Sequence, residues 1–258
     1  MFSEVIKFYE AEDGKLYLGD ARHFMNLLPD ESVDFILTDP PWMISQEVTI
    51  RRASNLKYKG KDISLDFGPW DNQWNDDWEY IAWCREWLAE CVRVLKPCCH
   101  LVFFFDKKKV SYVWYYLEEL GMKGRSPLFW LKTNPVPRGR KVDFMKSLEM
   151  ALWFTKGAIK QDRFNWQLGQ QRDYVEAPIP QNPKYHPTQK PLEVLEVWIK
   201  YLSKEGELVL DPFCGSGSTL VAARKTGRRW MGCDVDRSFL EVAKGRIEST
   251  AVRLELAI

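Results

Sequence analysis

The 258-residue sequence predicts a layered α/β fold, with seven strands in a mostly parallel sheet and helices on both faces. Two observations lead there. Short apolar runs alternate with amphipathic helical stretches, the pattern of strands joined by crossover helices. Four of those runs stop at an aspartate: Asp20, Asp39, Asp211 and Asp234. Ligands of such sheets bind outside the carboxyl ends of the strands, so the four acids converge on one rim.

In chain order, residues 15–18 read as a strand ending at Gly19-Asp20, and a short helix follows over about 21–28. Residues 33–37 are an apolar run ending in Thr38-Asp39-Pro40-Pro41-Trp42. A long polar, aromatic and basic stretch, about 43–75, has little periodicity, and a loop of that length in a compact domain is usually functional or mobile. A helix over about 76–95 carries Trp78, Trp83 and Trp87 at helical spacing, read as core, and Lys96-Pro97 ends it. The run 100–105 is a strand buried on both faces, and 107–120 is a helix capped by Gly121. Strands over 128–131 and 149–154 are joined by a basic segment, and 158–185 is non-periodic. A helix over 191–203, a strand over 208–210, a glycine-rich turn, a helix to Thr226, a strand over 230–233 and a last helix complete the chain.

The whole chain, 1–258, reads as one domain with insertions at about 43–75 and 158–185. Its start shows no secretory leader, and no apolar run has membrane-spanning length, which points to a cytoplasmic protein. Six cysteines form no C-x-x-C pair; Cys84, Cys91 and Cys98 recur every seven residues, as if on one helix face, and read as buried, reduced thiols. The net charge of +1 is uninformative, but its distribution is not. Residues 48–61 hold Arg51, Arg52, Lys57, Lys59 and Lys61 with no acid, and the segment after 132 holds Arg138, Arg140, Lys141 and Lys146. Such runs suit phosphates or an ordinary solvated surface.

Two motifs carry chemistry. In Asp39-Pro40-Pro41-Trp42 the prolines hold an extended backbone without N–H donors. The Asp39 carboxylate and Pro40 carbonyl then form an acceptor pair beside an indole, suited to a planar ligand bearing NH2. By itself the run reads equally as a packed Pro-Pro turn. In Asp211-Pro-Phe213-Cys-Gly215-Ser-Gly217-Ser-Thr219, a strand, a Gly-x-Gly turn and a helix allow close approach to the backbone. No P-loop lysine follows. Asp234 ends the next strand, where an acid typically accepts from ribose hydroxyls. A nucleoside cofactor without a charged phosphate linker fits, and S-adenosylmethionine is such a molecule.

With these motifs on the page the chain resembles the S-adenosylmethionine-dependent amino-methyltransferases of nucleic acid, of N6-adenine or N4-cytosine type. The run 211–219 looks like their cofactor motif and 38–42 like their catalytic motif. Leu18-Gly19-Asp20, His186-Pro-Thr-Gln-Lys190-Pro191 and Gly232-Cys-Asp234 are similar to three further motifs, and their order resembles the β-type arrangement. The likeness spans about 15–248. It implies a class I methyltransferase (Rossmann-like) fold. It places Asp234 on the ribose, Asp20 near the adenine, Gly215 and Gly217 beside the methionine part, and Asp211, Phe213 and Lys190 in the same cofactor group. Asp39, Pro40 and Trp42 would be catalytic. Pro41, Arg51, Arg52, Arg138, Arg140 and Lys141 would meet substrate. The mechanism calls for no metal.

One local departure is Cys98-Cys99, where the family usually has a Gly-Gly turn. The other is size: with only two short insertions for target recognition, DNA and structured RNA such as ribosomal RNA stand nearly even as the polymer. Rival readings are a small-molecule amine methyltransferase and a non-catalytic nucleic-acid-binding subunit.

Overall fold

The computed structural model describes residues 4–43, 46–50, 63–65, 71, 73–137, 142, 144–158, 163–181 and 188–251. Its strands and helices in chain order are β1 (Ile6–Ala11), β2 (Gly14–Leu18), α1 (Ala21–Asn26), β3 (Val33–Thr38), β4 (Gln46–Ile50), β5 (Ile63–Leu65), α2 (Asp77–Val94), β6 (Leu95–Phe104) and α3 (Val110–Glu119). These are followed by β7 (Met122–Gly124), β8 (Leu128–Lys132), β9 (Leu148–Lys156), β10 (Tyr174–Ala177), α4 (Leu192–Leu202), β11 (Leu208–Asp211), α5 (Ser218–Lys225), β12 (Arg229–Asp234) and α6 (Arg237–Glu248).

The main sheet has ten strands rather than seven, in the order β1-β2-β12-β11-β3-β6-β9-β8-β10, with β7 paired to β9. All seven expected strands are present. Their central block, β2-β12-β11-β3-β6, is parallel throughout. The three additional strands sit at the margins. β1 pairs antiparallel with β2, and none of its residues is buried, so it offers no apolar run to read. β10 lies in the stretch read as non-periodic and is four residues long. β7 and β8 follow one another along one edge of β9. β4 and β5 form a separate antiparallel ribbon within the first expected insertion.

β3 sits at the middle of the sheet and all six of its residues are buried, which is why it reads as an unbroken apolar run. Two cores flank the sheet. One packs α2 and α3 on one face through Trp87, Leu88, Val113 and Leu117. The other packs α4, α5 and α6 on the opposite face through Trp198, Leu220, Leu240 and Ala243. The tryptophan stripe of α2 is core at Trp83 and Trp87, while Trp78 is exposed against the edge of Tyr112.

Lys96-Pro97 does not simply terminate α2. The chain enters β6 at once, at Leu95, and slips register against β3 between Val33 and Phe35. Cys98 sits at this irregularity with φ +65°, a left-handed conformation that costs a side-chain-bearing residue about 1–2 kcal/mol. Cys98 is therefore in the strand and not on the α2 face with Cys84 and Cys91. Where the resemblance leads one to expect Gly-Gly, the backbone keeps the shape a glycine would accept. All six cysteines are free, and burial pushes the Cys84 thiol up to about 12. No helix among the described residues is long and apolar enough to cross a membrane.

Candidate active site

The carboxyl ends of β2, β12, β11 and β3 open into a cleft of about 1080 Å³, in the upper range of small-molecule sites. Asp20, Asp39, Asp211 and Asp234 all line it, as their strand-end positions predict.

At one end of the cleft lies the turn between β11 and α5. Asp234 Oδ2 accepts from the Gly215 backbone N–H at 2.8 Å, and its Oδ1 accepts from Asp236 N–H at 2.9 Å. Burial pushes the Asp234 carboxyl up to about 6, against those backbone donors. A carboxylate has about four acceptor sites, so these backbone donors leave room for a hydroxyl from the cleft. Asp20 caps α1 and is forked by Arg22, with Nε at 3.0 Å and Nη2 at 2.8 Å. Burial works against its charge, yet Arg22 outweighs that and holds the carboxyl below its ordinary value.

Asp211 is almost fully buried. Its Oδ1 accepts from Thr38 Oγ1 at 2.6 Å and Phe213 N–H at 3.1 Å, tying β11 to β3 beneath the cleft. Burial pushes this carboxyl up to about 7. Phe213 lines the cleft and is backed by Trp83 and Trp87, with centroids at 5.6 and 5.4 Å.

The two glycines of the turn have different tasks. Gly215 faces the cleft. Gly217 is absent from its lining and caps α5 with φ +78°, where a Cβ would meet the Ala243 Cβ at 2.8 Å. Gly217 thus lets α5 pack closely against α6. Arg246 braces the same turn, donating to the Ser216 carbonyl at 2.6 Å and to Ser218 Oγ at 3.1 Å.

At the other end, Asp39 Oδ1 accepts from Trp42 Nε1 at 3.1 Å, and Oδ2 accepts from Lys190 Nζ. Burial raises the Asp39 carboxyl in spite of Lys190. No donor among the described residues is paired with the Pro40 carbonyl, and Pro40 lines the cleft. The next carbonyls are taken: Pro41 O by Tyr80 Oη at 2.8 Å and Trp42 O by Lys109 Nζ at 3.1 Å. Asp71 Oδ1 accepts from both Trp42 N–H, at 2.9 Å, and Met43 N–H, at 2.8 Å. These contacts hold the loop so that Asp39, Pro40 and the Trp42 ring stay at the rim.

Asp71, Tyr80, Lys109 and Glu149 escape sequence reasoning as site residues, because no short motif contains them, and Lys132 is visible only as the start of the basic segment 132–146. The one available signal was Glu149, an acid at the start of a buried strand. Lys190, grouped with the cofactor residues from sequence, is buried directly on Asp39. Arg51, Arg52, Arg138, Arg140 and Lys141 lie outside the described residues. Among the described residues no cluster of His, Cys, Asp or Glu could hold a metal ion.

Residues 33–245 match the N6_N4_Mtase family, described as DNA methylase. The Type II methyltransferase M2.DpnII of Streptococcus pneumoniae is 31% identical over 254 residues, covering 94% of this chain and 92% of that protein. M.HinfI of Haemophilus influenzae is 29% identical over 245 residues, covering 89% of this chain and 67% of its own length. Two solved structures share the fold. The M1.HpyAVI–SAM complex has TM-score 0.66 and 24% identity, over 91% of this chain and 99% of that one. The PvuII cytosine-N4-specific DNA methyltransferase has TM-score 0.71 and 18% identity, over 95% of this chain and 90% of that one. The cleft, its acids and this match over most of the chain together make the protein a member of the DNA methylase family, S-adenosylmethionine-dependent N-methyltransferases of nucleic-acid bases.

Proposed function

We propose that this protein methylates the exocyclic amine of adenine or cytosine in DNA. The observation that carries the reading is a single cleft with the Asp39–Pro40 acceptor pair and Trp42 at one end and the Gly215 turn and Asp234 at the other. The donor set at the second end fits S-adenosylmethionine. Asp234 offers unfilled lone pairs to ribose hydroxyls, Phe213 offers an apolar wall, and Gly215 leaves the backbone open. When bound, the cofactor supplies an electrophilic methyl on a sulfonium.

The chain's own residues act on the amine. An aminopurine or aminopyrimidine nitrogen is a poor nucleophile because its lone pair is delocalised into the ring. Hydrogen bonds from NH2 to the Asp39 carboxylate and Pro40 carbonyl favour a pyramidal nitrogen with a directed lone pair. The carboxylate also offsets the positive charge that develops there, a preorganised electrostatic effect of the kind found at oxyanion sites with the sign reversed. Trp42 offers a stacking face to a base taken out of its helix.

DNA replaces the near-even choice between DNA and structured RNA. The family matched is described as DNA methylase, and M2.DpnII, a Type II methyltransferase, aligns over 92% of its own length, so a chain of this size is ample for the class. The short insertions are therefore no argument for RNA. Methyl-labelled S-adenosylmethionine incubated with DNA, total RNA and free amines tests the reading by nucleoside mass spectrometry. Label should appear in N6-methyldeoxyadenosine or N4-methyldeoxycytidine. Label in RNA or free amines alone overturns it.

A further inference from the structure

Four charged side chains stand in file along the wall of the cleft: Asp39, Lys190, Glu149 and Lys132. Lys190 Nζ donates to Asp39 Oδ2 and lies 3.4 Å from Glu149 Oε2. Lys132 Nζ holds the other Glu149 oxygen, Oε1, at 2.6 Å. Lys190 is 6% exposed, and its ammonium faces two aromatic rings, Phe104 at 4.7 Å and Trp42 at 5.4 Å. Glu149 Oε2 is buried and has no hydrogen bond of good geometry, so its contact with Lys190 is a loose ion pair beside the tight one at Asp39.

This arrangement conflicts with a static reading of the proposed function, on which the inference rests. Each Asp39 oxygen already accepts once, from Trp42 or from Lys190, so an arriving NH2 could take only a remaining lone pair, and at Oδ2 it would do so beside the ammonium. An ammonium at Asp39 Oδ2 would also repel the positive charge growing on the target nitrogen. A second place is available within a short side-chain movement, at Glu149 Oε2, 3.4 Å from the ammonium.

We propose that Lys190 is a two-position cation: it occupies Asp39 until a target amine arrives, then withdraws onto Glu149 Oε2 and yields Asp39 to the base. Without Lys190 the buried Asp39 would take up a proton and lose its acceptor role, because an isolated buried carboxylate neutralises. Without Glu149 the ammonium would have no place to go. Lys132 orients Glu149 by holding its other oxygen. Burial pulls Lys190 toward neutrality, but the Asp39 and Glu149 carboxylates outweigh it and keep the ammonium charged through the exchange. Lys190 and Glu149 are thus positioning residues acting through Asp39.

Two variants test this, with Lys132 and Asp211 as the other charged groups facing the pair. Lys190→Met should move the acid limb of the kcat/KM profile up, and Glu149→Gln should move it down, each by about one pH unit. The directions oppose because the first removes a cation from Asp39 and the second removes a competing anion. In both, kcat should fall by about tenfold or more, with S-adenosylmethionine affinity unchanged. Carboxyl 13C NMR titration of Asp39 in the protein without DNA should show the same opposite shifts independently of activity. Shifts of the same sign, no shifts, or a wild-type kcat in Glu149→Gln overturn the inference. Opposite NMR shifts in a protein that methylates no DNA would support the coupling and overturn the DNA reading instead.

Discussion

At the Asp234 end of the cleft, the aspartate is held by backbone N–H groups 2 and 19 residues away, Asp236 and Gly215. At the Asp39 end, beyond the local Trp42 indole, Asp39 and the loop after it are held by side chains 29, 39, 67 and 151 residues from the groups they bond: Asp71, Tyr80, Lys109 and Lys190. The first end is a cradle of main chain that few substitutions can remove. The second is a set of side chains, each from a different element, and each removable by one substitution. The difference suits the two tasks. A cofactor that is the same at every turnover can be met by fixed backbone. A base that must enter, be held and leave needs groups that can exchange partners.

Substitutions that separate binding from transfer test this contrast. Asp39→Ala should lower methyl transfer by about 10²–10³-fold, while equilibrium binding of S-adenosylmethionine stays at the wild-type value. A variant that loses cofactor binding as well would show that the two ends are not separable. Asp234→Ala should do the reverse. Loss of its charge-assisted hydrogen bonds should weaken S-adenosylmethionine by about 10–100-fold in calorimetric titration, with kcat at saturating cofactor nearly intact. Gly217→Ala strikes the support behind the cradle. The left-handed φ and the contact with Ala243 should cost about 1–3 kcal/mol in urea unfolding. A selective effect on KM for cofactor with no loss of stability would return Gly217 to the ligand. The smallest effect is expected far from both ends. Cys98→Gly relieves the left-handed residue at the β6 irregularity and should stabilise by about 0.5–1 kcal/mol, net of the flexibility glycine adds to the unfolded chain.

Legibility followed the same division. The central strands of the parallel block, β3 and most of β6, are buried on both faces, so their apolar runs stand out, and four of the block's five strands lead into an acid that marks the rim. β1 and β10 at the margins lack such runs and were passed over. Lys190 is visible as a motif member, but the motif says nothing about which acid it meets. A Gly-x-Gly turn looks alike in sequence whether its second glycine meets a small molecule or a neighbouring helix, so the contact of Gly217 with Ala243 is not legible there.

The sequence by itself determined the seven principal strands, the order of the motifs, the four acids and their common rim, since these depend on period, burial and chain-local turn chemistry. Only the tertiary structure decided that Asp39 shares Lys190 with Glu149, that Asp71, Tyr80 and Lys109 hold the loop behind it, and that Cys98 keeps a glycine's backbone. Those relations join residues far apart in the chain. They come from how β3, α2, α3, β9 and the segment before α4 pack together, and no local pattern encodes that distance. The Asp39–Pro40 acceptor pair therefore stands at the centre of a charge network that residues 38–42 do not contain.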